Sequence, residues 1–357
     1  MRLERRDHLS NGWAFGAPFA AVACTLLLAS LLVLWAGKPV AQTYGAIFEG
    51  GFGSVFAWSE TLTRAVPLML TGLAAAVAFR AKLFNIGAEG QLYAGAMAAV
   101  MVGGLHDGVG LHESWGIPLP LLFALMLIAS AVAGALLLLG PALLKAKLQV
   151  DEVVTTLLLN FIVLLGVGAL LDGAMKDPTA MGRPQSIALV GELELSKLIE
   201  QTRLHSGLII AALLAIFVWI IMRFTVLGFN IRATGANPRA AAFAGVPVTR
   251  TVVLTALLSG ALAGLAGAIE VAGRTSYVTI DMSPGYGYSG IVVAMLAGLH
   301  PLGVVVASIF VAGMLVGADS MSRVVGVPTY IADVIVAASL IFMLVALMLA
   351  QYRVRWR

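Results

Sequence analysis

Six polar side chains stand in stretches that are otherwise apolar, and their types set the first question. Glu89, Glu270 and Asp333 are carboxylates inside apolar runs. An acid inside a membrane span costs roughly 2.5–3.5 kcal/mol on insertion scales and as a rule faces a cavity or a partner. Glu89 lies between Gly87 and Gly90, a setting for unwound backbone at a binding region. Asn85, Gln91 and Asn160 add neutral donors and acceptors of the kind that a sugar or ribose hydroxyl needs. Together the six read as candidates for a solute path. The plainer reading of each is a hydrogen bond between helices, and residue type alone leaves both readings open. Tyr93, Tyr286 and Tyr288 are candidates for stacking on a base.

A second group lies in the polar stretch 228–247, GFNIRATGANPRAAAFAGVP. Pro238 followed by Ala240, Ala241 and Ala242 predicts a short helix after a turn, stopped near Gly245 and Pro247. A short helix held between two spans, with Arg232 and Arg239 making it basic, is a suitable lever for a soluble partner. A solvated connector is the plainer alternative.

Other chemistry has no residues to carry it. The only Gly-Lys pair, Gly37-Lys38, precedes a proline, so there is no phosphate loop for ATP. The five histidines show no metal-ligand spacing, no GxSxG elbow occurs, and the single cysteine, Cys24, excludes an intrachain disulfide. The chain is therefore expected to be a non-catalytic protein with no metal and no cofactor.

The elements that must position these residues are membrane helices. Of 357 residues, 60% are hydrophobic and 11% charged, and the mean hydropathy is +0.98. Soluble domains run at about 45–50% apolar and about 25% charged, so an ordinary water-soluble enzyme is excluded. Ten apolar runs lie near 17–36, 62–79, 86–104, 117–142, 152–171, 207–222, 251–272, 288–299, 302–318 and 330–349. They are continuous rather than alternating, which favours helices over a β-barrel. The runs at 86–104 and 288–299 are weak and are expected to be broken or tilted. The first run is longer than a signal peptide's apolar region. The segment 45–56, GAIFEGGFGSVF, reads as a short interfacial or re-entrant piece. In the run at 251–272, Gly260 and Gly264 stand four apart, a spacing that lets helices approach closely.

With the N-terminus inside, 14 of the 22 basic residues fall on inner segments and 8 on outer ones. An even number of spans then places both termini in the cytoplasm. The net charge of +4 is thus spread as a topology signal, not gathered as a patch for nucleic acid. Loop 172–206, with five acids, is expected outside, and loop 223–250, with four arginines and no acid, inside. Residues 1–357 read as one transmembrane domain.

Four stretches carry a family resemblance. Arg239-Ala240-Ala241, three residues, then Gly245 resembles the EAA-x3-G coupling loop of ATP-binding cassette (ABC) importer permeases, with Arg239 in place of the leading glutamate. The wider pattern GxNxRAxGxNPxAAxxAGV, which includes Asn237, resembles the version found in permeases for simple sugars, nucleosides and branched-chain amino acids. FNIGAEGQ at 84–91, DEVVTTLLLN at 151–160 and SGIVVAMLAGLHPLG at 289–303 resemble further motifs of the nucleoside and simple-sugar branch, in the expected order. The resemblance implies an all-α polytopic membrane protein with about ten transmembrane helices, of the larger, type II-like importer fold. It implies a multi-pass permease of the bacterial cytoplasmic (inner) membrane that moves a nucleoside or simple sugar. The implied partners are a cytoplasmic ABC ATPase docked on the loop, a second permease of different sequence, an extracytoplasmic solute-binding protein and the surrounding lipid. An ion-coupled secondary transporter is the alternative. It needs its own ion site and as a rule two similar halves, and no convincing repeat is visible.

Overall fold

A chain this apolar must satisfy its backbone internally, and it does so almost entirely with helices. The computed structural model describes residues 2–5, 11–106, 108–328 and 352–355, with ten more between 330 and 346. In chain order the helices are α1 (Asn11–Trp35), α2 (Val40–Phe52), α3 (Val55–Arg80), α4 (Ala88–Gly103) and α5 (Leu111–Trp115). They continue with α6 (Leu119–Leu148), α7 (Glu152–Asp172), α8 (Gly207–Phe224), α9 (Val226–Ala236) and α10 (Pro238–Phe243). Then come α11 (Val248–Glu270), extended by a π-turn at Val271–Thr275, α12 (Tyr286–Leu296) and α13 (Pro301–Val325), and the described residues between 330 and 346 are also helical. Side chains set the boundaries: Asp151 caps α7 through Val153 N–H, Thr225 caps α9 through Gly228 N–H, and Gln149 ends α6 in a left-handed conformation.

Nine of the ten apolar runs coincide with helices, and the tenth lies partly outside the described residues. Among the described residues six helices are long and apolar enough to cross a membrane, seven if a bent pair counts as one span. That pair is Ala23–Trp35 with Val40–Phe52, bent by 118°. The two weak runs are short helices, α4 with 16 residues and α12 with 11, so length alone does not make them full crossings. The segment 45–56 covers the second part of α2, which begins at Val40 and ends at Phe52, a two-residue break, and the first two residues of α3.

The chain divides into two compact units, Met1–Leu62 with Ile309–Arg357, and Thr63–Ser308. In the first unit α2 packs on α13 by close approach of small residues, Gly50 on Ser320 and Gly51 on Gly313. Short strands at Arg2–Arg5 and Tyr352–Arg355 pair antiparallel.

The second unit is built on α4, α6 and α11. An added Cβ on Gly134 would meet the backbone of Gly260 and Gly264, and one on Gly95 the backbone of Gly264. The spacing of Gly260 and Gly264 is thus used for helix packing, as the sequence predicts. Between α7 and α8 the chain is irregular but stitched down. Leu105 N–H donates to Ala188, Val190 N–H to Gly103 and Leu195 N–H to Ala272, at 2.9, 2.9 and 2.7 Å. Leu189, Val190 and Leu193 are buried against Leu122, Met126 and Ala268.

Candidate functional site: a polar knot at the broken α3–α4 segment

Between α3 and α4 the helix is lost. Lys82 turns left-handed at φ +53°, and residues 83–86 have no helical structure. Backbone groups released this way inside an apolar protein need partners. One face of α7 supplies them. Glu152, Thr156 and Asn160 stand four residues apart, on one helix stripe, and all three are buried. Phe84 N–H donates to Glu152 Oε1 at 3.1 Å, Ile86 N–H to Thr156 Oγ1 at 3.3 Å and Gly90 N–H to Asn160 Oδ1 at 2.8 Å. Asn160 Nδ2 returns a bond to the Ile86 carbonyl at 2.8 Å and one to Tyr288 Oη at 3.1 Å.

Asn85 and Gln91 pair their amides reciprocally, each bond 2.9 Å. Asn85 Nδ2 also donates to Ser259 Oγ on α11 at 3.1 Å, and Ser259 donates to the Ala74 carbonyl on α3 at 2.8 Å. Glu89 has a different part. Its Oε2 accepts from Gly287 N–H, the second residue of α12, at 2.6 Å, and Ser283 lies beside its carboxylate. Ser283 Oγ accepts from Tyr286 N–H at 3.0 Å, so the two side chains satisfy successive amides of the first turn of α12, and the Glu89 carboxylate meets the positive end of its dipole. The start of α12 lies so close that a Cβ on Gly287 would meet the backbone of Ala88 and Glu89. Tyr93 donates to the Ile280 carbonyl and accepts from Ser283 N–H, which holds the segment leading into α12. Tyr93 and Tyr286 are fully buried, whereas Tyr288 is 38% exposed.

Glu270 makes no hydrogen bond to this knot among the described residues, although its charge, like that of Glu89, bears on Tyr93. It lies eleven residues beyond Ser259, about 16 Å along α11 by helix rise. Oε1 accepts from Arg274 Nε on the π-turn, and Arg274 also donates to the Met282 carbonyl. The other oxygen, Oε2, is buried with no hydrogen-bond partner among the described residues. Nearby, His205 is buried just before α8 and accepts from Gly207 N–H through Nδ1 at 3.2 Å. Burial, and then the charge of Arg274, pulls its pKa down to about 4. Asp333 lies outside the described residues.

The predicted short helix is α10. Asn237 Oδ1 caps it, accepting from Arg239 and Ala240 N–H at 3.0 and 3.1 Å. Gly245 ends it at φ +85°, with Gly245 N–H on the Ala242 carbonyl and Val246 N–H on the Ala241 carbonyl, the paired bonds of a Schellman stop. Arg239, Ala240, Ala242 and Phe243 are exposed, Phe243 at 98%, while Ala241 is buried. Arg232 is not on that outer surface: it is half-buried and donates to the Met222 carbonyl, clamping α9 to the end of α8.

Residues 57–344 match the family described as the branched-chain amino acid transport system permease component. The chain belongs to this family. The permease is similar to the guanosine ABC transporter permease protein NupP of Bacillus subtilis, 36% identical over 91% of each chain. It is also similar to the glucose ABC transporter permease protein TsgB13 of Haloferax volcanii, 33% identical over 99% of this chain and 93% of that one. A third relative is the nucleoside ABC transporter permease protein NupB of Lactococcus lactis, 32% identical over 92% and 90%.

In the permease the structure brings together four of the six intramembrane candidates, Asn85, Glu89, Gln91 and Asn160, and leaves Glu270 at the far end of α11. Sequence reasoning missed Glu152, Thr156, Ser259 and Ser283, which complete the knot. The stripe of Glu152, Thr156 and Asn160 at spacing four was a usable signal in an otherwise apolar helix. The two serines carry none: a single hydroxyl in an apolar helix, such as Ser259, commonly bonds its own backbone, and Ser283 stands in the irregular segment before α12, where serine is an ordinary loop residue.

Proposed function

We propose that this chain is the permease of an ATP-driven importer in a bacterial cytoplasmic membrane, paired with a second permease of different sequence, and that it carries a nucleoside or a simple sugar inward. Similarity over nine-tenths of the chain to permeases named for guanosine, nucleosides and glucose supports the solute class. The observation that carries the coupling role is α10, a helix capped at both ends that presents Arg239, Ala240, Ala242 and Phe243 outward. In this reading loop 223–250 and both termini are cytoplasmic, a separate ATPase seats α10, and an extracytoplasmic binding protein delivers solute to the side of loop 172–206. Hydrolysis belongs to the ATPase, and the permease itself is not an enzyme.

A mechanical route follows from bonds already described. Arg232 ties the α9–α10 segment to α8, and just beyond Gly245 the chain enters α11 at Val248. α11 carries Ser259, whose hydroxyl holds Asn85 of the knot. Movement of α10 is thereby passed to α11 and to the break before α4, where Asn85, Glu89, Gln91 and Asn160 border the solute path and Tyr288 offers an exposed ring. Glu270 and Asp333 are proposed as further residues of that path.

The test is Gly245→Asp. Aspartate tolerates the left-handed conformation better than most residues, so the chain is expected to fold and insert. The added charge beside Phe243 is expected to release the ATPase in a pull-down, or to leave its turnover unresponsive to solute. Normal docking together with normal solute-stimulated turnover overturns the assignment.

A further inference from the structure

Beside the start of α10 lies a cavity of about 220 Å³ whose polar wall is Lys82, Lys145, Gln149, Thr234 and Thr249, with Pro238 at its edge. A water's share of liquid volume is about 30 Å³, so the space holds several waters or one tetrahedral anion with part of its solvent. It lies on the side that the basic loops mark as inward.

Three features of its wall favour an anion. Two of the wall residues are lysines, and among the described residues no carboxylate lines it. Lys145 is shared with Glu152 of α7, which stands behind the wall, so Lys82 is the ammonium without that claim. α11 begins here: Val248 and Thr249 are its first two residues, and its N-cap, Pro247, offers no side-chain bond. The first-turn amides of a 23-residue helix carry the positive end of its dipole. Finally, Thr234 is only 3% exposed, and its hydroxyl is buried with no hydrogen-bond partner among the described residues. A buried hydroxyl without a partner is uncommon in a native fold and calls for an explanation such as a bound ion or ligand.

We propose that this cavity is an anion site and that a phosphoryl group occupies it. The ammonium of Lys82, the hydroxyl of Thr234, the second N–H of the Gln149 amide, whose Nε2 already donates to the Lys145 carbonyl at 3.1 Å, and the opening amides of α11 come from four separate segments. A tetrahedral group with several acceptor oxygens meets donors from that many directions, whereas a planar carboxylate meets fewer. The phosphoryl comes either from the headgroup of an anionic lipid or from a free phosphate in the cytoplasm. Either occupant ties the α9–α10 segment, through Thr234, to the first turn of α11, and so bears on the helix proposed to meet the ATPase.

The full chain is purified and placed in phosphatidylcholine nanodiscs, and two probes are applied. Inorganic phosphate is titrated with the melting temperature as the readout, and phosphatidylglycerol retention is measured by native mass spectrometry after exchange. At least one probe is expected to bind the unsubstituted chain. Thr234→Val and Lys82→Gln are each expected to weaken that binding roughly tenfold, the loss expected for one hydrogen bond to a charged group. Arg250→Gln, a nearby charge outside the wall, is expected to leave it unchanged. A phosphate response in phosphatidylcholine alone assigns the site to free phosphate; retained phosphatidylglycerol without a phosphate response assigns it to lipid. Thr234→Val removes an unpartnered hydroxyl, so its melting temperature without ligand is expected to match or exceed that of the parent. Absence of binding by both probes, equal binding in the two wall variants, or an equal loss in Arg250→Gln overturns the proposal.

Discussion

Replacing Gly264 by alanine adds one methyl group to α11 where three helices meet. The new Cβ would press on the Ser130 carbonyl of α6, 3.1 Å from its carbon and closer still to its oxygen, and would lie 3.2 Å from Gly134 Cα. Real Cβ contacts essentially never fall below 3.0 Å, and the obstacle here is helix backbone, which cannot rotate aside. α6 and α11 must therefore separate, and the backbone of Gly264 also supports Gly95 of α4. Forcing an extra carbon into a packed interior costs about 1–3 kcal/mol. Against that, alanine is about 1 kcal/mol better than glycine in a helix. A clash with backbone belongs in the upper part of that range, about 2–3 kcal/mol, so the net expectation is a loss of about 1–2 kcal/mol for Gly264→Ala. Gly45 in α2 and Gly166 in α7 are matched controls, since an added Cβ meets nothing within 4 Å at either. There the propensity acts alone, and alanine is expected to be neutral or stabilising. Thermal unfolding of the purified chain in detergent reads all three. Opposite signs for Gly264→Ala and the two controls support the packing argument; a Gly264→Ala protein that melts with the controls refutes it.

Asn160→Ala strips partners from Gly90 N–H and the Ile86 carbonyl at once, and a loss of about 3 kcal/mol is expected from two unpaired buried groups; a loss under about 1 kcal/mol by the same melting assay shows that the break does not depend on α7. His205 declines a proton until about pH 4, whereas in the unfolded chain it takes one near 6.5. The unfolded state therefore binds more protons between those values, so stability is full above pH 6.5 and falls by roughly 3 kcal/mol as pH drops towards 4. His205→Asn is expected to flatten that part of the pH profile, and parallel profiles contradict the assignment. In a Cys24→Ser background, Phe243→Cys and Met181→Cys place thiols at positions 98% exposed; labelling of the first only from the cytoplasm and the second only from outside is expected, and the reverse pattern contradicts the orientation.

The helices were legible because continuous apolar runs announce themselves, and α10 because Asn237, Pro238 and Gly245 are its cap, first residue and stop. Which faces meet was less legible. The most apolar 18-residue stretch of Val248–Thr275 is less apolar than that of α7, at mean hydropathies of 2.1 and 2.4, yet 67% of it is buried against 17% in α7. In a membrane lipid is as apolar as leucine, so hydrophobicity does not mark the inner face; small and polar residues do. Gly260 and Gly264 were read on that basis, and Glu152 and Thr156 were open to the same reading. The role of Glu89 was not legible. Its glycine neighbours pointed to unwound backbone, but nothing local announces that the carboxylate caps a helix 198 residues away, through Gly287. The break itself falls just before Glu89, at residues 83–86, where Lys82 takes a left-handed turn that its residue type does not advertise.

The central claim is that transport through this chain is driven by a partner's ATP. The direct measurement is uptake of labelled guanosine, ribose and glucose by proteoliposomes that hold the permease, its second permease and the ATPase, with the binding protein on the outer side. The account predicts uptake of a nucleoside or a sugar that requires enclosed ATP and persists when ionophores collapse every ion gradient. Uptake that proceeds without ATP and vanishes with an ion gradient would contradict it and establish an ion-coupled carrier instead.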